Sequence, residues 1–274
     1  MVPTVKLDKL HLVAKLSEED IKDVLASIRF EKSNQHYYYV LFINDSSKCC
    51  IFLKPTRTST YKHYNCFITF NPANMSELPP QAVYVLQKTR YWKIKRMDVA
   101  LDFDIAVSNT FLVPYRNMRQ RMIHNNYNFY RGTEKSRVGA IVYDKAREMR
   151  EKGSPLNVKH LTRIELRFKP KLSEQRFITA SDFSWTEPLF SKFVIIPDIR
   201  KTSTKAKNLI KDINYKKKKY ANLKTTEKNS VKEAAKLHGV NYYPLFSSVI
   251  AGLLYFLPDC IRHRHGEQLT DHAS

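Results

Sequence analysis

Glycine is scarce in this chain, with six residues among 274: Gly132, Gly139, Gly153, Gly239, Gly252 and Gly266. Neither a P-loop nor a GxGxxG dinucleotide loop can be drawn through those positions, so nucleotide-hydrolysing motors and Rossmann oxidoreductases recede. Cysteine is equally sparse. Cys49, Cys50, Cys66 and Cys260 contain no CxxC pair, which argues against a zinc ribbon and gives no support to a secreted disulfide framework; a reducing cytoplasm is the expected home. The N-terminal MVPTVKLDKL lacks the apolar core of a signal peptide, in keeping with that expectation. Long apolar runs are also nearly absent. The one candidate, residues 242–261, is interrupted by Pro244 and Pro258, and the stretch between them reaches about 20 Å as a helix against the roughly 30 Å of a bilayer core. A buried helix is expected there, not a membrane span.

Acidic residues are the last shortage: 26 Asp plus Glu face 47 Lys plus Arg, a formal charge of +21. A field of that sign attracts polyanions, with nucleic acid the leading partner and an anionic membrane surface second. Apolar residues, by contrast, are plentiful. With 43% hydrophobic and 12% aromatic residues, the chain is too apolar for intrinsic disorder and can bury a sizeable core in one large domain or two modest ones.

Strands dominate the first half. A strand over 7–16 leads to Ser17, Glu18 and Glu19, which read as a helix start before the amphipathic run IKDVLASIRF. HYYYVLFI (36–43), KCCIFL (48–53) and YNCFITF (64–70) are dense in aromatic and β-branched residues and are separated by turn formers, predicting a meander. Pro79 and Pro80 open a helix over 81–91. RMDVALDFD (96–104), RVGAIVYDK (137–145) and LTRIELRF (161–168) are three more strands, with a helix expected over 115–124. After residue 169 the chain turns helical and polar, and within 200–224 ten basic residues face one acid, Asp212. That run, with Lys216, Lys217, Lys218 and Lys219 at its centre, suits a basic helix or linker on a phosphate backbone. A solvated charged linker is the alternative. The expected class is α+β: a sheet-rich domain over 1–178, its antiparallel strands packed with helices, and a basic, helical, DNA-contacting region over 179–274.

Alternation sorts RMDVALDFD into Met97, Val99, Leu101 and Phe103 on one face and Asp98, Ala100, Asp102 and Asp104 on the other, the acidic face being expected to lie exposed. Carboxylates in such a row repel one another until a cation relieves them. TRIELRF likewise turns Ile164, Leu166 and Phe168 inward and Arg163, Glu165 and Arg167 outward. Two readings follow. Asp98, Asp102 and Glu165 offer hard oxygen ligands to Mg²⁺ or Mn²⁺, or Arg163 and Arg167 neutralise Asp98 and Asp102 across the strands. Tyr143, at the end of an apolar strand and followed by Asp144, Lys145, Arg147 and Glu148, is a candidate nucleophile. A phenol titrates near about 10, so attack on phosphorus needs positive charge close by. Taken alone, it is one of 16 tyrosines. Tyr127, Phe129 and Tyr130, beside Arg131 and Lys135, suit stacking on a melted strand or packing under the Gly132 turn.

Four elements occur in order between Arg96 and Arg167: an R-[IM]-D-x-x-x-D strand, a [FY]-x-G-x-x-x-S turn, a Y-[DN]-K-x-x-E segment and an R-x-E-L-R strand. The set resembles the Rep_trans family of rolling-circle replication initiators over about the middle quarter of the chain. The resemblance implies an HUH/RRM-like sheet and a sequence-specific, metal-dependent DNA nickase that starts plasmid replication by transesterification. Tyr143 would attack a phosphodiester, become 5′-phosphotyrosine-linked and leave a 3′-OH. Asp98, Asp102 and Glu165 would hold Mg²⁺ or Mn²⁺, Lys145 and Arg163 would stabilise charge on the scissile phosphate, and Glu148 would support the helix. Arg131, Lys135 and the 216–219 lysines would contact DNA. The implied partners are double-stranded origin DNA, the nicked strand, a host helicase and polymerase, and a second copy in a homodimer, with no membrane.

Two features depart from related chemistries. Most HUH enzymes bind metal through two histidines flanking an apolar residue, whereas the HxH here is His263, Arg264, His265, which reads as a basic tail. A tyrosine recombinase needs His-x-x-Arg before its tyrosine, and His160 to Arg163 follows Tyr143. The alternatives are a non-catalytic nucleic-acid-binding module, and a relaxase or phage initiator with the same chemistry.

Overall fold

Alternating apolar residues through TVKLDKLHLVA and KIKRMDVALDF build the two longest strands, β1 (Thr4–Ala14) and β6 (Lys93–Phe103). The computed structural model describes residues 2–32, 36–43, 49–56, 63–113, 120–122, 129–131, 136–154, 158–170, 190, 193–215 and 218–257. The expected boundary at 178/179, Tyr127, Lys135, Lys216, Lys217 and the histidines at 263 and 265 lie outside the described residues, and Arg131 is described by its backbone alone. Two compact units emerge, one of residues 1–9, 96–170 and 185–250, the other of residues 10–95, 171–184 and 251–274.

In the unit holding residues 10–95, β2 (Glu31–Lys32), β3 (Tyr37–Ile43), β4 (Cys49–Pro55) and β5 (Cys66–Phe70) form the expected antiparallel meander, which ends on residues 10–14 of β1. Leu10, Leu12, Ile51, Leu53, Ile68 and Phe70 are buried on it. Cys49 and Cys66 are buried as well, and burial pushes the Cys49 thiol up to about 12, so both pack as small apolar groups. α1 (Glu18–Ser27) starts where expected: the Ser17 hydroxyl accepts the Asp20 N–H at 3.0 Å, and the Asp20 carboxylate accepts the Ser17 N–H in return. α2 (Pro80–Leu86) stops short of residue 91. The indole N–H of fully buried Trp92 donates to the Leu86 carbonyl at 2.9 Å, capturing an acceptor that a further helical turn would use.

In the other unit, β6, β11 (Thr162–Phe168), β10 (Val138–Asp144), β9 (Phe129–Arg131) and β8 (Gln120–Met122) lie side by side in that order, each antiparallel to the next, with β1 on the far side of β6. At 120–122, the described part of the helix expected over 115–124, the chain is the strand β8 instead. Gln120, Arg121 and Met122 pair with Arg131, Tyr130 and Phe129, and hydrogen bonding to the β9 edge prevails over local helix preference. α3 (Lys145–Glu151) follows β10 directly, capped by Asp144, whose carboxylate accepts the Arg147 N–H at 2.9 Å.

The basic run is folded, not a solvated linker, over α4 (Thr204–Asn214). Its Ala206, Leu209, Ile210 and Ile213 pack with Val231 and Ala234 of α5 (Thr225–His238) around Phe111 and Ile196, which lie on the small ribbon of β7 (Phe111–Leu112) and β12 (Ile195–Ile196). Lys205 and Lys211 stay exposed on the opposite side of α4. The apolar run 242–261 yields α6 (Tyr243–Phe256), a helix as expected, with Phe246 buried and Pro244, Ser247 and Ser248 exposed; the side chains of 250–256 lie outside the described residues. Tyr242 meets Phe103 at a centroid distance of 5.5 Å, and Phe246 stacks at 4.4 Å on Phe190, itself 5.2 Å from Phe168. Among the described residues no helix is long and apolar enough to cross a membrane.

Gly239 closes α5 where an added Cβ would overlap the Ala235 carbonyl oxygen and stand 2.5 Å from Val194 Cγ1. Gly239→Ala should therefore lower the unfolding free energy by about 1–3 kcal/mol in urea titration at unchanged m-value. A loss under about 0.5 kcal/mol would show that the backbone relaxes freely at this turn.

Candidate active site

β11 is the middle strand of the site. Register puts Arg163 opposite both Asp102 and Tyr143, Glu165 opposite Ala100 and Ile141, and Arg167 opposite Asp98 and Gly139, all on one face. That face was expected to be exposed, yet Asp98 is fully buried and Glu165 retains 9% exposure. Ion pairing makes such burial tolerable. Arg163 grips Asp102 with two prongs, Nε to Oδ1 at 2.6 Å and Nη2 to Oδ2 at 2.7 Å, while its Nη1 lies 3.6 Å from Asp8 Oδ1. Asp98 is bound by Arg96, with Nε to Oδ1 at 2.8 Å and a second contact from Nη2 to Oδ2, and by Arg167 Nε at 3.4 Å. Of the two readings of the acidic row, cross-strand neutralisation describes the placement of Asp98 and Asp102.

Tyr143 is the penultimate residue of β10, and its hydroxyl donates to Glu165 Oε1 at 2.7 Å. Burial pushes the phenol well above its ordinary range, the Glu165 charge adds to the rise, and Arg163 opposes it. Burial also raises Glu165, against the lowering effect of the Tyr143 hydrogen bond. At neutral pH the phenol therefore keeps its proton, aimed at Glu165. Lys145, the first residue of α3, bonds Glu148 Oε2 at 2.8 Å and holds its ammonium 5.9 Å from the Tyr143 ring centroid. Glu148 thus supports α3, as expected.

Asp98, Asp102 and Glu165 share a face without forming a cluster. Among the described residues no three His, Cys, Asp or Glu side chains are placed to hold an ion together. Two arginines close off Asp98 and a third engages Asp102, so this donor set does not fit a hard-ion site as it stands. Asp8 and Arg96 have no role in the sequence reading. Asp8 carries a usable signal, since a carboxylate between Leu7 and Leu10 on an apolar strand demands a partner. Of the expected DNA contacts, Lys218 and Lys219 are exposed, and Lys218 Nζ bonds Glu227 Oε1 at 3.0 Å. The Arg131 backbone sits on β9 opposite Ala140.

No family model matches the chain, and no curated protein matches it. Among solved structures it is similar to a rolling circle replication initiator protein from Geobacillus stearothermophilus, at 13% identity and a TM-score of 0.38, over 61% of this chain and 75% of that one.

Asp102→Asn should strand the Arg163 charge in a buried site and cost about 3–5 kcal/mol, read as a lowered denaturant midpoint. If the carboxylate served an ion instead, the variant would keep its metal-free stability and lose any rise in thermal midpoint given by Mg²⁺ or Mn²⁺. Glu148 provides a pH test. Burial acts to raise it, but the ammonium groups of Lys145 and Lys152 hold it down at about 2. A carboxyl depressed below its unfolded value of about 4.3 stabilises the fold above that pH and loses its contribution as pH falls toward 2. Glu148→Gln should flatten the acid limb of the stability curve between about pH 4.5 and 2; an unaltered limb would remove Glu148 from the account.

Proposed function

We propose that the chain is a rolling-circle replication initiator, which binds a double-stranded origin and nicks one strand by transesterification through Tyr143. The observation that supports this most directly is the meeting of motif residues far apart in sequence: the Tyr143 hydroxyl is bonded to Glu165, and its backbone stands opposite Arg163. Tyr143 Oη forms the new bond to phosphorus, and its proton passes to Glu165 Oε1. The bond from phosphorus to the 3′ oxygen breaks, and that oxygen takes a proton from water to become the 3′-OH. Charge developing on the phosphoryl oxygens is met by Arg163 and Lys145. Asp102 is assigned to Arg163, which it orients. A divalent ion would have to displace that arginine to gain Asp102 beside Glu165.

Duplex binding is assigned to α4, α5 and the segment between them. Lys205, Lys211, Lys218, Lys219, Lys232 and Lys236 are exposed there, and sequence-independent phosphate contact suits such a surface. On this reading the replicon is a plasmid, the initiator works as a homodimer in the cytoplasm, and the 3′-OH primes a host polymerase behind a helicase. The four ordered motifs support that wider role.

Tyr143→Phe preserves the ring and removes the attacking oxygen. Covalent attachment to an origin-bearing supercoiled plasmid should fall to background while duplex affinity stays within about twofold. Nicking by the variant at the wild-type rate would overturn the assignment of Tyr143. Replacing residues 216–219 with Ala should reduce the slope of log K against log salt by about 0.9 for each phosphate no longer neutralised, without slowing the nicking of a single-stranded substrate in excess. An unchanged slope would remove that segment from the DNA surface.

A further inference from the structure

The meander of β3, β4, β5 and β1 has two unlike faces. Register sets Phe42, Cys50, Thr69 and His11 in one row across the strands, and Val40, Phe52, Phe67 and Val13 in the next, so these eight side chains point the same way. Val13 and Val40 are buried within this face, and the opposite side holds the buried residues Leu10, Leu12, Ile51, Leu53 and Ile68. On the first face the rings remain accessible. Phe42 is 65% exposed, and Phe52, Phe67 and His11 are half-buried. They form a continuous line, with centroid separations of 6.4 Å from Phe42 to Phe52, 5.6 Å from Phe52 to Phe67 and 5.6 Å from Phe67 to His11. Lys95 adds a cation, its ammonium 4.5 Å from the Phe67 centroid.

An exposed row of aromatic rings on a sheet is costly in water and needs a ligand to account for it. The chemistry here selects among ligands. The rings are turned 51° to 89° to their neighbours, so each open ring face is a separate stacking surface, where a protein partner would be served as well by aliphatic side chains. The nearby ammonium and the +21 charge of the chain favour a polyanion whose bases can splay outward. Among the described residues, the carboxylate that register places on this side is Glu31, opposite Val40 at the sheet edge. We infer that this aromatic face binds single-stranded DNA, with bases stacked on Phe42 and Phe52 and a phosphate beside Lys95, whose ammonium lies over the Phe67 ring. The inference rests on the proposed initiator role only for the identity of the strand, which is then the one melted at the origin. Stacking of this kind tolerates any base, so the face adds grip on an unpaired strand and no sequence preference.

The test is fluorescence anisotropy of a labelled oligo(dT) of about 20 nucleotides with the full chain and its variants. Phe42→Ala should weaken binding about 5- to 150-fold, the effect of losing one base stack, whereas Phe42→Trp should retain it. Affinity for a blunt duplex should be unchanged in both, and melting curves establish that both fold. Undiminished oligo(dT) affinity in Phe42→Ala would overturn the inference, as would tighter binding of oligo(rU) than of oligo(dT). So would a change of oligomeric state in Phe42→Ala without a change in oligo(dT) affinity, which would make the face a contact between copies. Nicking is not read in this experiment. A wild-type protein that fails to nick, while Phe42→Ala loses oligo(dT), would refute the initiator reading and leave the stacking face standing.

Discussion

The polar face of β6, β11 and β10 depends on a single arginine. Arg163 is nearly enclosed, and a guanidinium removed from water costs several kcal/mol unless its charge and its hydrogen-bond donors are both met. Asp102 meets it with two parallel bonds, and Asp8 lends a second carboxylate from β1. Burial acts to lower the arginine's proton affinity, and Asp102 more than compensates, so Arg163 is a permanent positive charge. The fixed charge lets a tyrosine and a glutamate sit beside it with little water, sharing one short hydrogen bond. A lysine in that position would lack the planar fork and would leave one carboxylate oxygen unmatched.

The strands of the site were legible because alternation is strict where a sheet buries one face completely. RMDVALDFD, RVGAIVYDK and LTRIELRF fell on β6, β10 and β11 within a few residues, and the facing of Arg163, Glu165 and Arg167 followed from parity alone. Parity does not report depth. The polar side was expected to meet solvent, and Asp98 has none, because burial of a charge depends on partners supplied by other strands. The same limit hid Asp8. A helix was expected over 115–124 because local preference was the available signal, whereas β8 owes its extended form to hydrogen bonds with β9. Local preference likewise carries α2 on to residue 91, since the indole that ends it lies six residues beyond Leu86.

Both units use the two-residue period of the strand, to opposite ends. Around Arg163 the polar alternates are drawn in and satisfied by one another, leaving few groups that need water. On the β3 to β5 meander the alternates are aromatic and left accessible, so that face keeps contact area in reserve. Rigidity is the common element. Ile51, Leu53 and Ile68 lock the meander from below, as Phe103 and Phe168 with the aromatic residues around α6 lock the strands of the polar face.

The charges on β6 and β11 also choose how those strands meet. In the observed pairing Arg163 opposes Asp102 and Arg167 opposes Asp98. Sliding one strand by two residues keeps every apolar side chain on its proper face, so hydrophobicity alone does not forbid it. Slid one way, Glu165 comes opposite Asp102; slid the other, Glu165 comes opposite Asp98 and Arg167 opposite Arg96. Each misalignment sets like charges against each other at a distance where they repel. The ion pairs therefore act during folding as a vernier that excludes near-native registers, and a variant that neutralises Glu165 loosens that selection as well as altering the site.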